Sequence, residues 1–311
     1  MTMLKVTSKT VAADGVVLLH LAAPDASPLP EWTPGAHIDL VLGDGIIRPY
    51  SLSGDPDDRG EWRLGVLREE NSRGGSAYLH DHLQPGHEIE VRGPRNNFAL
   101  HPARQYLFIA GGIGITPLLP MIAYAHRQGA DWRLLYGGRS RASMAFLDEL
   151  EVYGDRVRVV PQDEEGLLDL DTVMKSVTEE TQVYCCGPEG LLAAVEGWSD
   201  RLPNGGVHVE RFRGLPLEDA VWEGPFEVVF QQSGITAVVE PDQQIIEVAE
   251  EEDIPVLYSC AEGTCGSCET TVLAGAVHHR DSYLSPQERT AGDRMMICVS
   301  RSAGPRLVLD L

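Results

Sequence analysis

Hydrophobic and polar positions divide the chain into three stretches with different periodicity. Up to residue 101, short β-rich runs at 5–11, 16–21, 64–68 and 88–92 alternate with clusters of Gly, Pro and Asp. Only one short helical segment, at 76–83, interrupts them. Several short strands at regular spacing predict a small antiparallel β-barrel over residues 1–101.

Strands and helices alternate in the second stretch, residues 102–212. The apolar run 106–110 is typical of a buried strand and ends at Gly111-Gly-Ile-Gly-Ile-Thr-Pro. Thr116 then suits the N-cap of a helix, and Pro117 suits its first position. Because the alternation continues to a last strand at 207–210, this stretch is predicted to be a parallel α/β domain.

The third stretch begins after a predicted linker at 213–225, which contains two Gly and two Pro. Runs at 226–230 and 236–240 predict a β-hairpin, and residues 245–252 predict a helix. This helix leads into a cysteine-rich loop. Residues 226–311 are therefore predicted to form a separate domain that mixes strands and helix.

The cysteines of this domain have a diagnostic spacing. Cys260, Cys265 and Cys268 follow the pattern C-x4-C-x2-C, and Cys298 comes from a distant segment. Four thiolates with this spacing are the ligands of a plant-type [2Fe–2S] cluster. Zinc, disulfides and plain buried cysteines are the alternatives. Zinc sites prefer paired C-x2–4-C knuckles, and the second pair is missing here.

The charge of the chain limits its partners. It has 47 Asp and Glu against 25 Lys and Arg, a net charge of −22. This balance argues against nucleic acid, whose phosphates attract basic residues, and favours docking to a basic protein surface. The acidic residues 250–253 are a candidate for such docking, or simply a solvated face. No apolar run approaches the length of a membrane span and the N-terminus has no signal core, so we expect a cytoplasmic protein with no membrane partner.

Two segments of the predicted barrel carry groups that could hold a flat ring and a phosphate. In Arg48-Pro-Tyr-Ser, the aromatic ring could stack on a flat group and the guanidinium could neutralise a phosphate. Asn71-Ser-Arg-Gly-Gly-Ser opens the short helix, where backbone N–H groups favour an anion. Taken alone, each segment could also be an ordinary strand or turn.

Two turns of the predicted α/β domain could hold a nucleotide. Gly111-Gly-Ile-Gly lies between a strand and a helix, where a cofactor phosphate should sit, although Pro117 replaces the third glycine of a strict G-x-G-x-x-G. Cys186-Gly-Pro follows another strand, and its glycine leaves room for a flat ring. A buried structural cysteine is the alternative for this turn.

The order of these motifs resembles the phthalate dioxygenase reductase family, over essentially the whole chain. The shared motifs are Arg-x-Tyr-Ser, Gly-Gly-Ser, Gly-Gly-x-Gly-x-Thr-Pro, Cys-Gly-Pro and the C-terminal plant-type cysteine loop. The resemblance implies an FMN-binding barrel, an NAD-binding α/β domain and a β-grasp-type ferredoxin domain. It also implies a monomeric reductase that passes electrons from NADH to a Rieske-type aromatic oxygenase or O-demethylase.

The motifs and the resemblance together assign residues to each centre. The predicted flavin-binding residues are Arg48, Tyr50, Ser51, Arg73, Gly74, Gly75 and Ser76. The predicted dinucleotide-binding residues are Gly112, Gly114, Thr116, Arg139, Gly187 and Pro188. The residues predicted beside the reacting rings are Cys186 and Phe212, the latter with a core phenylalanine as the alternative. The predicted cluster ligands are Cys260, Cys265, Cys268 and Cys298.

A flavin is needed between the other two centres, because NADH delivers two electrons as a hydride and a [2Fe–2S] cluster takes one. The chain is therefore predicted to be an NAD(P)H-dependent oxidoreductase, the reductase component of a multicomponent oxygenase. A reductase for a cytochrome P450 or another acceptor is the alternative. A non-enzymatic redox sensor would need no flavin and dinucleotide sites, and this chain has candidates for both.

The sequence gives conflicting signals on the nucleotide. The strand predicted at 132–136 should end at the adenosine ribose, where a carboxylate would favour NADH. This chain has Gly137-Gly-Arg-Ser-Arg there, and two Arg with a hydroxyl suit a 2′-phosphate. Arg139 and Arg141 could equally stack on adenine or meet a pyrophosphate. Because the two Arg do not decide between the nucleotides and the resemblance implies NADH, we expect NADH.

Overall fold

The chain folds into two compact units, Met1–Arg211 and Phe212–Leu311. The structure is a computed structural model and describes residues 2–43, 46–69, 74–202, 206–217, 219 and 221–311. The predicted domain bounds, including the linker at 213–225, stay predictions. Within the described residues, no helix combines the length and apolar character needed to cross a bilayer.

Six antiparallel strands open the first unit, with one short helix, α1 (Gly75–Asp81), between the last two. The strands are β1 (Thr2–Ala13), β2 (Val16–Ala22), β3 (His37–Val41), β4 (Ile47–Ser51), β5 (Trp62–Leu67) and β6 (Glu88–Arg95). Their spatial order is β4-β3-β6-β1-β2-β5, and a bridge between Leu52 and Leu64 joins the two edges. The sheet thus closes on itself around an apolar core, and the predicted antiparallel barrel is confirmed.

Five parallel strands form the second sheet, in the order β11-β10-β7-β8-β9. They are β7 (Gln105–Gly111), β8 (Asp131–Gly138), β9 (Val157–Pro161), β10 (Thr181–Cys186) and β11 (Val207–Glu210). The α-helices between them are α2 (Leu118–Arg127), α3 (Leu147–Leu150), α4 (Gln162–Glu165), α5 (Leu170–Met174) and α6 (Glu189–Glu196). This confirms the predicted parallel α/β domain. The chain leaves β7 first towards β8 and later returns to pair β10 on its other side, which makes β7 and β10 the switch point where such sheets bind ligands.

The start of α2 differs from the prediction. Gly112–Ile115 form a 3₁₀ turn, and the α-helix begins only at Leu118, after Pro117. The hydroxyl of Thr116 donates a hydrogen bond back to the carbonyl oxygen of Ile113, at 2.9 Å. Thr116 therefore ends the 3₁₀ turn, and its predicted role as the N-cap of the helix is wrong.

A five-stranded mixed sheet, a two-stranded sheet and two helices build the described part of the second unit. The strands are β12 (Phe226–Phe230), β13 (Ile235–Val239), β14 (Glu269–Ala274), β15 (Val277–His278), β16 (Arg294–Met296), β17 (Arg301–Ser302) and β18 (Arg306–Leu309). The helices are α7 (Ile245–Glu251) and α8 (Pro286–Ala291). The first and last strands, β12 and β18, pair in parallel at the centre, and α7 packs on the sheet through Ile245 and Val248. This is the predicted β-grasp-type α+β domain.

The segment after the barrel is tied to the parallel sheet by Tyr184 of β10. Its buried hydroxyl accepts a hydrogen bond from the N–H of His101 at 2.8 Å and donates to the carbonyl oxygen of Ala99 at 3.2 Å. The ring of His208 stacks on the Tyr184 ring, with 4.5 Å between centroids. Burial raises the pKa of Tyr184 to about 12. The phenol therefore stays protonated and keeps both hydrogen bonds across the neutral range.

We expect the Tyr184→Phe variant to be destabilised by about 1–3 kcal/mol, because the buried N–H and carbonyl oxygen lose their partner. The corresponding fall in the midpoint of the first calorimetric transition is about 2–10 °C. Tyr124→Phe is the matched control, since the Tyr124 side chain is exposed on α2. Equal midpoints for Tyr184→Phe and the control would contradict this account of the tie.

Candidate functional site

The four predicted cluster ligands come together in the second unit. Cys260, Cys265 and Cys268 lie in the loop between α7 and β14, Cys298 follows β16, and all four are buried. The thiols of Cys265 and Cys298 contact the sulfur of Cys260, and the Cys298 thiol also contacts that of Cys268. Two segments separated in sequence therefore present four sulfurs to one place.

Hydrogen bonds favour the thiolate form of one ligand, Cys260, whereas the same contacts raise the pKa of the Cys265 and Cys298 thiols. The contacts with Cys265 and Cys298 hold the pKa of the Cys260 thiol well below its usual range. The backbone N–H groups of Glu262 and Thr264 point at the same sulfur, at 3.3 and 3.4 Å. Since the thiolate is the form that binds a metal, the loop is arranged to supply an anionic sulfur ligand.

The loop can pack closely against the rest of the domain because two of its residues are glycines, where a side chain would collide with neighbouring atoms. Gly263 and Gly266 both have positive φ angles, 70° and 69°. A Cβ on Gly263 would lie 2.6 Å from a methyl carbon of Val299, and one on Gly266 would lie 2.6 Å from the ring of Tyr283. The C-x4-C-x2-C spacing is thus wrapped tightly against the rest of the domain.

The chemistry of this donor set fits a [2Fe–2S] cluster. Four sulfurs are the ligands that the two irons of such a cluster require, and N–H groups directed at sulfur are among the features that tune its potential. Among the residues that the structure describes, no three His, Cys, Asp or Glu side chains surround a single-ion position. The cysteine loop is therefore assigned by its ligand number, its spacing and its buried sulfurs.

The predicted flavin residues meet at one edge of the barrel. Arg48, Tyr50 and Ser51 lie on β4, while Gly74, Gly75 and Ser76 begin α1. The Arg48 side chain packs on Gly75 so closely that a Cβ there would lie 2.6 Å from its Cγ atom. Arg73 was predicted for the same site and lies outside the described residues.

This edge suits a phosphate with a ring beside it. Arg48 brings a positive charge to the turn that opens α1, and a guanidinium binds phosphate oxygens strongly. Tyr50 is half-buried, and burial raises the pKa of its phenol, so the ring stays neutral. The hydroxyl of Ser76 accepts a hydrogen bond from the N–H of Glu69 at 3.2 Å, which fixes the start of the helix.

The two predicted nucleotide turns lie against each other at the carboxyl ends of β7 and β10. A Cβ on Gly114 would fall 2.2 Å from the carbonyl oxygen of Cys186, and one on Gly111 would fall 2.5 Å from the ring of Pro188. At Gly112, by contrast, a Cβ would have no described atom within 4 Å. A Cβ on Gly187 would lie 2.9 Å from the Cα of Gly111, so Gly114 and Gly187 are both needed for the two turns to touch. The open space lies over Gly112.

The remaining predicted residues occupy different surroundings. Thr116 is buried, and the methyl of its side chain packs against Gly65 of the barrel. Arg139 is exposed at the end of β8. Phe212 is 40% exposed and is the first residue of the second unit. Their roles as binding or catalytic residues stay predictions.

Cys186 has a half-buried acidic neighbour that the sequence did not single out. Glu210 of β11 lies opposite Cys186 in the parallel ladder. Its Oε2 atom is shielded from solvent and has no hydrogen-bond partner among the described residues. Burial raises the pKa of Glu210 to about 8 and that of the Cys186 thiol well above its usual value. At neutral pH both side chains are therefore protonated and uncharged. The only signal in the sequence was the place of Glu210 at the end of a short strand.

Family models match three successive parts of the chain. An oxidoreductase FAD-binding domain covers residues 3–100, and an oxidoreductase NAD-binding domain covers 108–197. A 2Fe-2S iron-sulfur cluster binding domain covers residues 228–303. The three matches follow the order of the barrel, the parallel sheet and the cysteine loop.

Full-length relatives share this order. The phenoxybenzoate dioxygenase subunit beta of Ectopseudomonas oleovorans is 44% identical over 310 residues, which are 99% of this chain and 97% of that protein. The structure of phthalate dioxygenase reductase, described as modular for electron transfer from pyridine nucleotides to [2Fe–2S], is 35% identical with a TM-score of 0.75. The match covers 99% of this chain and 97% of that one.

A longer protein contains the same arrangement as one part. The structure of an intact type IV self-sufficient cytochrome P450 monooxygenase is 43% identical, with a TM-score of 0.91. The match covers all of this chain and 41% of the P450 chain. The identities, the coverage and the four buried thiols agree: the chain belongs to the phthalate dioxygenase reductase family and is an oxidoreductase that passes electrons from a nicotinamide dinucleotide through a flavin to a [2Fe–2S] cluster.

Proposed function

We propose that this reductase uses NADH and FMN and delivers its electrons to a Rieske-type oxygenase or O-demethylase. The observation that carries the proposal is the set of four buried thiols in a chain that also holds flavin and nucleotide turns. The flavin supplies the step from hydride to single electrons. Relatives named as parts of dioxygenase systems support an oxygenase as the acceptor.

The residues of the chain would bind and orient these groups without an acid–base pair. The thiolates of Cys260, Cys265, Cys268 and Cys298 would hold the two irons. Arg48 and the turn at 74–76 would neutralise and enclose a terminal phosphate. The space over Gly112 would take the dinucleotide phosphates. Cys186 and the protonated Glu210 would border the nicotinamide ring with uncharged groups.

A cytochrome P450 is the second candidate acceptor, and one observation favours it: the likeness to part of a self-sufficient P450. The two acceptors can be separated directly. We expect NADH and this reductase to bleach the absorbance of a purified Rieske oxygenase in stopped-flow experiments. The same mixture with a P450 under carbon monoxide should form the reduced-haem complex much more slowly. Faster reduction of the P450 would reverse the assignment.

The Cys265→Ser variant tests the cluster. Its hydroxyl is a poor iron ligand, so we expect loss of the iron–sulfur absorbance and of electron delivery to cytochrome c. NADH oxidation with ferricyanide should remain within about twofold, because the flavin and nucleotide groups lie in the other unit. Cys185→Ala, at a buried cysteine of β10, is the control and should keep the cluster. Loss of flavin reduction in Cys265→Ser would argue against this separation of tasks.

FMN rather than FAD is expected as the flavin. The turn at 74–76 with Arg48 can enclose one terminal phosphate, whereas FAD needs a further surface for its adenosine. Heat release followed by chromatography identifies the flavin, and recovery of FAD would refute the proposal. In Arg48→Gln, the affinity of the apoprotein for FMN should fall about 10- to 100-fold, as expected for one charged hydrogen-bonded pair. Riboflavin, which lacks the phosphate, should bind the variant and the wild type alike.

NADH is expected to be the preferred nucleotide. The measurement is kcat/KM for NADH and NADPH with ferricyanide at fixed ionic strength, in the wild type, Arg139→Ala and Arg141→Ala. We expect a wild-type preference for NADH of at least about tenfold, a difference of roughly 1.4 kcal/mol in transition-state binding. A wild-type preference for NADPH that either substitution abolishes would show that the two Arg form a 2′-phosphate site.

A further inference from the structure

The fold brings an acidic turn to the two Arg that follow β8. Strand β9 runs parallel to β8, with Pro161 opposite Gly138, and continues directly into α4. The N–H of Asp163 in this helix donates a hydrogen bond to the carbonyl oxygen of Arg139, at 3.2 Å. Residues 163–165, Asp-Glu-Glu, therefore sit at the same sheet edge as Arg139 and Arg141, although they are more than twenty residues away in sequence.

One of the two Arg is already paired by this turn. A carboxylate oxygen of Glu164 lies 3.7 Å from the guanidinium of Arg141, and both side chains are about half exposed. Glu165 makes a similar contact with Arg158, also at 3.7 Å. Arg139 forms no ion pair with any residue in the described part of the chain. The edge thus carries as many carboxylates as guanidinium groups: Asp163, Glu164 and Glu165 against Arg139, Arg141 and Arg158.

We propose that Glu164 determines nucleotide specificity, by occupying Arg141 and, with Asp163 and Glu165, by repelling a 2′-phosphate. The proposal rests on the proposed placement of the adenosine ribose at the end of β8. A phosphate monoester carries nearly two negative charges at neutral pH, whereas the 2′-hydroxyl of NADH carries none. The carboxylates therefore weaken the binding of NADPH and leave that of NADH almost unchanged.

The size of the effect follows from the exposure of these groups. Charges about 7 Å apart in water interact weakly, and salt screens them further, so each carboxylate should weaken NADPH binding about two- to threefold. Glu164 should count for more than its neighbours, because its removal also frees Arg141 to bind the phosphate. This role was invisible in the sequence, since it depends on which strand lies beside β8.

The experiment compares the wild type with Glu164→Gln and with the triple variant Asp163→Asn/Glu164→Gln/Glu165→Gln. We expect kcat/KM for NADPH, measured with ferricyanide, to rise about threefold in the single and about tenfold in the triple variant. The value for NADH should stay within about twofold. Glu180→Gln is the matched control, because Glu180 also pairs with an exposed Arg, Arg104 at 3.5 Å, but precedes β10 at the opposite end of the sheet.

Binding gives a second readout that does not depend on turnover. Titration calorimetry of the full-length protein with 2′,5′-ADP and with 5′-AMP isolates the 2′-phosphate. Glu164→Gln should tighten binding of 2′,5′-ADP about threefold at low salt, with a smaller gain at high salt, and should leave 5′-AMP unchanged. Adding Arg141→Gln should cancel most of the gain.

The possible outcomes separate the two proposals. The preference of the wild type tests the proposed use of NADH, whereas the change in the NADPH to NADH ratio tests the role of Glu164, whichever nucleotide the wild type prefers. A ratio in Glu164→Gln equal to that of Glu180→Gln would overturn the role of Glu164. An equal change for both nucleotides, or for both binding probes, would overturn it as well.

Discussion

The second unit depends on bringing four sulfurs from two distant segments into one buried place. The loop supplies Cys260, Cys265 and Cys268, and the end of β16 supplies Cys298. Such crowding is possible only where the backbone turns at Gly263 and Gly266 without side chains in the way. Cys268 and Cys298 belong to the same apolar core as Phe226 of β12 and Leu307 of β18. The domain is thus built around the four sulfurs that hold its one-electron centre.

A comparable constraint shapes the first unit, where two backbone turns meet with no room for a side chain. The close contact between Gly114 and the carbonyl group of Cys186 fixes the distance between the ends of β7 and β10. The barrel packs on the same region through Gly65 and Thr116. The predicted flavin turn packs on the barrel core through Leu79 and Tyr50. The predicted nucleotide turn packs through Ile115 on a second core, which also includes Val16 of the barrel. Direct contact between a hydride donor and a ring acceptor requires this kind of rigidity, because reacting atoms must stay within about 3–3.5 Å.

Local patterns were enough to predict the fold class and the cluster ligands, because strand spacing, strand–turn–helix order and C-x4-C-x2-C are all encoded in short segments. Features that depend on pairing between distant segments were not predictable. The N-cap at Thr116 was wrong for a local reason, because its hydroxyl bonds within the preceding 3₁₀ turn. The surroundings of Glu210 and Glu164 depend on which strands lie beside β11 and β9, and this pairing cannot be read from the sequence alone. Gly114 was predicted to bind the dinucleotide, which stays a prediction, and its close contact with the carbonyl group of Cys186 was not predictable from the sequence.

All six cysteines of the chain are buried, which has a consequence for chemical labelling. Burial raises the pKa of Cys185 to about 12 and keeps Cys186 protonated as well, so neither sulfur is a good nucleophile at neutral pH. The other four sulfurs, three from the cysteine loop and that of Cys298 after β16, lie together in the second unit. Maleimides should consequently label almost no cysteine in the folded protein. The number of labels per chain then reports how many cysteines have become exposed by unfolding or by loss of the cluster. Four labels would indicate loss of the iron centre alone, and six would indicate that the parallel sheet has opened too.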